Sequence, residues 1–404
     1  MKACGLIVEY NPFHNGHQYH LDQAKKVTNA DCMIAVMSGN FLQRGEPAII
    51  DKYARTKIAL QQGVDIVIEL PFVYAVQHSD LFARGAIMTL DALKTSTVCF
   101  GSEHGEVNDF IEAYHILELH KDQFHKDLKE ELTTGKSFPE ASKNAYSTIG
   151  LTKGKVDLSQ PNNILGFGYV KGIFQTNTPI TPVTIKRYKN DFHDQDIAHS
   201  IASATSIRKE LLAYGKLTSK AVSTLPDMTQ KALDQYLLSN GIWHEWEKYF
   251  PLLQYRVLTM SHEELRTIHG VNEGIEHRLK RTASQVDSFK NWMETLKTKR
   301  YTWTRLQRVF VHILTNTKKD LIQSLLHADE APYVRLLGMT QKGRAYLKEK
   351  KKQIEQPIIT GFKKDPGPVL QAEERATDAY YSILPSKQKL KLRKQELEPP
   401  IILS

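Results

Sequence analysis

The first hundred residues alternate short apolar runs with amphipathic helical stretches, and that alternation leaves few folds open. Residues 3–9 (ACGLIVE) break into Asn11-Pro12, Cys32–Met37 stops at Ser38-Gly39-Asn40, Asp65–Leu70 stops at Pro71, and Thr97–Phe100 runs into Gly101. Between them lie helical patterns. His20–Asn29 puts Leu21, Ala24 and Val27 on one face, Asp51–Gln62 is closed by Gly63, and residues 81–94 form a third amphipathic stretch. Strands so short and so uniformly apolar are buried on both faces, as happens in parallel sheets covered by helices. The expected fold class is therefore α/β, a doubly wound, Rossmann-like parallel sheet.

The pattern continues with a more polar helical insertion at about 106–150. Asn162–Leu165 and Val183–Lys186 resume the apolar theme. Residues 201–215 (IASATSIRKELLAYG) read as a loop entering a helix that Gly215 ends. We place a boundary there: 1–215 as the sheet domain, 216–404 as a mainly α-helical, basic domain. In the second part Trp243–Phe250 and Glu263–His269 are helical, and Pro251 is expected to interrupt the first. Residues 274–315 are helical and dense in Lys and Arg, 330–340 and 356–361 are strands or buried turns, and Lys387–Lys394 is a basic helical run.

At 404 residues and 41% hydrophobic content the chain suits two or three domains with real cores. A formal charge of +9 favours an anionic partner, nucleic acid or nucleotide first, although a merely basic enzyme would look the same. Cys4, Cys32 and Cys99 sit in apolar runs with no CxxC spacing, so neither a disulfide framework nor a cysteine zinc site is expected. The N-terminal residues do not read as a signal peptide and no run is long enough for a membrane span. A soluble, cytoplasmic protein with no membrane partner is the expectation.

The strongest chemical signal is His14-Asn15-Gly16-His17, directly after the first strand and opening a helix. Ligands of open α/β sheets bind at the carboxyl ends of strands. A helix N-terminus offers N–H groups and partial positive charge to phosphates, and Gly16 permits close backbone approach. His14 and His17 can donate to phosphate oxygens as charge builds on departing pyrophosphate, which requires no protein nucleophile. The plainer alternative is a capping histidine beside a surface one.

The second signal, Ser203-Ala204-Thr205-Ser206-Ile207-Arg208, resembles the hydroxyl-rich helix start of HIGH-type nucleotidyltransferases. In that resemblance Ser203, Thr205 and Arg208 hold departing phosphates. Ala204 departs from the double serine, with Ser206 as a substitute hydroxyl, and an ordinary N-cap is the bland reading. Ser38–Gly45, with Asp51, Lys52 and Arg55, offers a loop to close over substrate. Gly101-Ser102-Glu103 offers a surface for adenine or ribose.

Taken together, GLIVEYNPFHNGHQYHL, MSGNFLQRGEPAIIDKYAR, ELPFVYAVQHSDLFARGA, CFGSE, QPNNILGFGYV and SATSIR resemble the tRNA(Met) cytidine acetate ligase family. KTKRYTWTRLQR and YVRLLGM fit the same family, so the likeness spans nearly the whole chain. It implies an enzyme that activates acetate with ATP as acetyl-adenylate. The acetyl group then passes to the 4-amino group of the wobble cytidine of elongator tRNA(Met), giving N(4)-acetylcytidine. It carries ATP contacts to Ile7, Val8, Glu9, Tyr10, Asn11, Pro12, Phe13, His14, Asn15, Gly16, His17, Gln18, Tyr19 and His20, and to Gly101, Asn162 (or Asn163 beside it) and Arg187. His14, His17 and Arg208 are the expected catalytic residues. Mg2+ would normally bridge the phosphates, yet no carboxylate cluster is set aside for it and no protein metal ligand is expected.

For RNA, Lys280, Arg281, Lys299, Arg300, Arg305 and Arg308 interleave with Trp292, Tyr301, Trp303 and Phe310. Cations meet phosphates and exposed aromatics stack on bases, unless the aromatics are core. His78 and His104 lie on loops facing the same crevice. HIGH-type chains also include small-molecule adenylyltransferases, and a non-catalytic RNA-binding or assembly protein is a third reading. The long basic helical half favours the ligase.

Overall fold

The computed structural model describes residues 1–151, 155–187, 202–362 and 367–403. One sheet organises them. Its parallel core comprises β1 (Ala3–Val8), β2 (Cys32–Ser38), β3 (Ile66–Leu70), β4 (Thr97–Ser102) and β5 (Thr181–Lys186). The spatial order is β5-β4-β1-β2-β3. The chain moves outward from β1 through β2 and β3, then crosses back to lay β4 on the other side of β1. A crevice opens at that reversal, above the carboxyl ends of β1 and β4. Every residue of β2 and β3 is buried, Ser38 and Glu69 along with the apolar ones.

The helices of this half are α1 (Asn15–Thr28), α2 (Lys52–Gln61), α3 (Phe72–Ala75) and α4 (Ser79–Ala92), then α5 (Val107–Leu119), α6 (Lys121–Thr133) and α7 (Phe138–Thr148) in the insertion. They are followed by α8 (Pro161–Gln175) and α9 (Ala204–Tyr214). The apolar 162–165 stretch is thus the first turn of a helix. Asp51 caps α2 by accepting the Tyr53 and Ala54 N–H groups at 2.8 and 2.9 Å. Gly215 ends α9 at φ 65°, in the left-handed region.

From residue 216 onward the chain is mainly helical up to Gln323. The helix Trp246–Thr259 runs straight through Pro251, contrary to expectation. Tyr249, Phe250, Leu253 and Val257 are all buried on its inner face, and that packing outweighs the roughly 3 kcal/mol a mid-helix proline costs. The chain then returns to the sheet. Residues 330–340 and 356–361 do contain strands, and they join the sheet of the first half. β6 (Val334–Thr340) pairs antiparallel with β3, β7 (Ile358–Ile359) pairs with β6, and β8 (Ile401–Leu403) pairs with the far end of β6.

A fully buried ionic group fastens this return. Lys52 Nζ lies 2.9 Å from both Glu69 and Glu396, and Arg335 lies 2.7 Å from Glu396 and 3.7 Å from Glu69. Burial works against the Lys52 charge, but Glu396 and Glu69 outweigh it and hold its pKa above the ordinary value. For Glu69 burial is overcome by Lys52 and Arg335, which keep it ionised. Burial, and then the nearby Glu69, push the Glu373 carboxyl well above the ordinary carboxylate range.

Candidate active site

A cavity of about 1000 Å³ opens over the carboxyl ends of the parallel strands. Its walls come from both halves of the chain: the loops after β1, β2 and β3, the starts of α8 and α9, the insertion around Phe138, and the helix Trp303–Leu314.

His14 is the N-cap of α1 and is 6% exposed. Its Nδ1 accepts the Gly16 N–H at 3.0 Å, while His17 Nδ1 accepts the His14 N–H at 3.3 Å. The two rings stack with centroids 3.8 Å apart. Each Nδ1 is therefore an acceptor, and the single proton of each neutral ring sits on Nε2. Burial, with Arg187 as a further contributor, pushes His14 down to about 3 and His20 to about 4; burial and then His14 push His17 well below the ordinary value. The pair is a neutral donor pair.

That neutrality has a sign in stability. The unfolded chain takes up protons below its ordinary value of about 6.5, while the folded rings resist until about 3 to 4. This contribution is complete above about pH 6.5 and falls away between there and about pH 3. We expect histidine NMR spectra to show His14 and His17 as neutral Nε2–H rings, and none of His14, His17 and His20 titrating between pH 6 and 8. A ring titrating near 6.5 would reject the assignment.

One expectation is corrected. The first N–H groups of α1 are not free for phosphates: Asn15 donates to Thr224 O at 3.0 Å, Gly16 to His14, and His17 to His14 O at 2.8 Å. Side-chain donors do face the cavity. Arg208 reaches it from α9, donating to Asn11 O at 2.9 Å and pairing with Glu46 at 2.8 Å. Arg187 lies at the end of β5, 3.4 Å from Asn162 Oδ1. A Cβ at Gly101 would meet Arg187 Cγ at 3.3 Å, so glycine leaves that arginine its room.

The segment 7–20 divides by position. Ile7, Val8, Glu9, Tyr10, Asn11, His14, Gly16, His17, Tyr19 and His20 line the cavity. Pro12 and Phe13 are buried beneath it, with the Phe13 ring 5.7 Å from that of His17. Asn15 donates to Ser223 O at 3.2 Å and Gln18 to Asp22 at 3.0 Å, both outside the cavity wall. Burial raises the Glu9 carboxyl, which accepts the Gln43 N–H at 2.8 Å.

Ser203 and Thr205 line the cavity, but Ser206 does not. Its hydroxyl is buried and donates to Ser203 O at 2.9 Å, so it cannot stand in for the missing second serine. Ile201 lies outside the described residues. Asn162 lines the cavity, whereas Asn163 is buried and its Oδ1 accepts the Glu103 and His104 N–H groups at 3.0 and 3.1 Å. His104 pairs with Asp109 at 2.6 Å and is not part of the wall. Lys52 belongs to the ionic group, and Arg55 is buried, donating to Glu9 O at 2.7 Å and Ser38 O at 3.0 Å. They lie away from the cavity wall, whereas Gln43, Arg44 and Glu46 of the same loop line it.

The RNA candidates separate too. Arg300, Arg305 and Arg308 line the cavity; Lys280, Arg281 and Lys299 do not. Arg300 and Arg305 share Glu273, at 2.8 and 3.5 Å. Burial, then Arg305 and Arg44, lower Arg308 to about 10. Lys280 donates to Leu258 O at 3.1 Å, at the end of the helix Trp246–Thr259, while Arg281 and Lys299 are exposed. Trp292, Tyr301 and Phe310 are buried in the core and Trp303 is half-buried, which removes the expected stacking surface there. Sequence reasoning missed Glu46, Gln77, Phe138, His269 and Glu273, all on the cavity wall. Gln77 follows the third strand and was within reach of the strand-end rule; His269 and Glu273 come from the helical half with no motif around them.

No helix among the described residues is long and apolar enough to cross a membrane. Among those residues no group of three or more His, Cys, Asp or Glu is arranged to hold a metal ion.

Comparison with known proteins agrees with this fold. The profile of the HIGH Nucleotidyl Transferase family matches residues 1–396. The tRNA(Met) cytidine acetate ligase of Oceanobacillus iheyensis is 55% identical over 404 residues, covering 100% of both chains. The crystal structure of Thermotoga maritima TmcAL (apo, form I) superposes with a TM-score of 0.92 at 34% identity, covering 100% of both chains. Thermotoga maritima TmcAL bound with alpha-thio ATP (Form II) superposes with a TM-score of 0.89 at 33% identity, again over 100% of both.

Proposed function

The chain belongs to the HIGH nucleotidyl transferase family and to the tRNA(Met) cytidine acetate ligases, and from that premise we propose how its cavity carries out the ligation. ATP lies with its base and ribose toward Gly101, Asn162 and Arg187 and its phosphates toward His14, His17 and Arg208. An acetate oxygen attacks the α-phosphorus in line, the bond from that phosphorus to the bridging oxygen breaks, and pyrophosphate leaves with the electron pair. In the second step N4 of the wobble cytidine of elongator tRNA(Met) attacks the acetyl carbonyl, AMP departs, and N4 loses one proton.

The observation that carries this reading is the stacked histidine pair. Both Nδ1 atoms are taken by backbone N–H groups, so each ring presents a fixed Nε2–H. Fixed neutral donors stabilise charge that builds on a leaving group without a reorganisation cost at the moment of reaction. They repel one another less than two imidazolium ions would at 3.8 Å. Positioning and charge neutralisation then account for the chemistry, as in phosphoryl transfer generally. Magnesium arriving with ATP would be held by phosphate oxygens and water, because Glu46 and Glu273 are already paired with arginines.

Acetate-dependent pyrophosphate release from ATP, followed by mass analysis of added tRNA, tests the proposal. Release that requires acetate, with acetylated cytidine in elongator tRNA(Met), is the expected result. Release that ignores acetate points instead to a small-molecule adenylyltransferase, and none at all to a binding protein.

The tRNA surface has its own test. Arg300 and Arg305 border the cavity, so Arg300→Glu with Arg305→Glu should weaken tRNA binding about tenfold or more at low salt and flatten its salt dependence. Filter binding at two salt concentrations reads this. An unchanged affinity removes the region from the RNA surface.

A further inference from the structure

A base that accepts an acetyl group must leave its stack and approach the adenylate from the side the nucleotide does not fill. In the reading above the nucleotide wall stands on β4 and β5. β1 separates that wall from the ends of β2 and β3, where Gln43 and His78 reach the cavity. The part over β2 and β3 is therefore the acceptor's side.

Stacking a base there needs accessible rings, and the basic segment does not offer them, since Trp292, Tyr301 and Phe310 are core. Phe138 does. It opens α7, lines the cavity, and is 46% exposed. Its ring centroid lies 6.3 Å from that of His78, which is also exposed and on the cavity wall. The backbone that holds the phenyl ring is preset: Ser137 Oγ accepts the Glu140 N–H at 3.4 Å, and Pro139 follows in the first turn. Lys136 and Arg308 are cations on the same wall. Two neighbouring rings with cations beside them are what single-stranded nucleic acid sites use, aromatic faces for bases and positive charge for phosphates.

We propose that Phe138 and His78 form the stacking platform for the acceptor nucleobase, an unstacked pyrimidine of a tRNA loop. The proposal rests on the acyl-transfer reading above and adds to it where the base sits. It also gives the helical insertion a role, because α7 brings an exposed aromatic side chain to the cavity wall.

The test uses the full chain as wild type, Phe138→Ala and Phe138→Trp, with an unmodified elongator tRNA(Met) transcript. For Phe138→Ala, kcat/KM for tRNA acetylation should fall about tenfold to a hundredfold, the range that loss of one base–aromatic stack covers. Acetate-dependent ATP–pyrophosphate exchange, which needs no RNA, should stay within about twofold of wild type. Phe138→Trp should restore most of the loss, which a merely structural role for the side chain would not predict. Equal loss in exchange and acetylation, or acetylation by Phe138→Ala at the wild-type rate, overturns the platform. A wild type that acetylates no tRNA overturns the ligase reading and the platform with it, and differs visibly from a platform failure, in which the wild type acetylates tRNA.

Discussion

Replacing His17 by alanine is expected to slow acetyl-adenylate formation by about 10² to 10³, the typical cost of deleting one preorganised donor at a developing negative charge. tRNA affinity should change by less than about twofold. The substitution removes two things at once: the Nε2–H donor and the Nδ1 acceptor of the His14 N–H. Loss of a capping contact costs helices roughly 1 kcal/mol, so thermal melting is needed beside the kinetics. A variant still folded at the assay temperature, with exchange lost and RNA binding intact, assigns the effect to the donor. Parallel loss of exchange and RNA binding would show that the histidine does not act as a phosphate donor.

The largest stability effect should come from Lys52→Met. It leaves Glu69 and Glu396 buried at zero exposure with Arg335 as their remaining cation. Breaking a buried ion pair from one side typically costs about 3–5 kcal/mol, a large share of a domain's net stability. Urea unfolding reads the shift in midpoint. Adding Glu396→Gln to the same chain removes one charge of each sign and should recover part of the loss. A Lys52→Met protein within about 1 kcal/mol of wild type would mean that the carboxyls tolerate burial without the lysine.

Much of this was legible because its signals are local. The strands β1 to β4 declare themselves through uniform apolar runs, and His14 and His17 through their place between a strand and a helix. What was not legible depends on partners far along the chain. Nothing near Val334–Thr340 says that it pairs with β3, because the reason is Arg335 meeting Glu69 and Glu396 inside the core. The N–H groups of α1 looked available until Thr224, two hundred residues on, was found to accept one of them. Trp292 and Phe310 share a basic segment with Arg300 and Arg305, and only packing separates core from surface there: the Trp292 and Phe310 rings lie 4.8 Å apart. Phe138 went unnoticed because a single phenylalanine in a polar insertion carries no periodic signal.

With β6 hydrogen-bonded to β3, the C-terminal half cannot be exchanged for another unless the newcomer also brings a strand of matching twist and a guanidinium where Arg335 stands. The same holds at Gly45, whose carbonyl accepts the Trp246 indole N–H at 2.9 Å and whose lack of a Cβ lets it lie against the backbone of Arg308. Recombination between genes succeeds at seams where few contacts cross. These two contacts lie across the place where a seam would run, so a chimera cut there loses a strand pairing and an indole hydrogen bond at once.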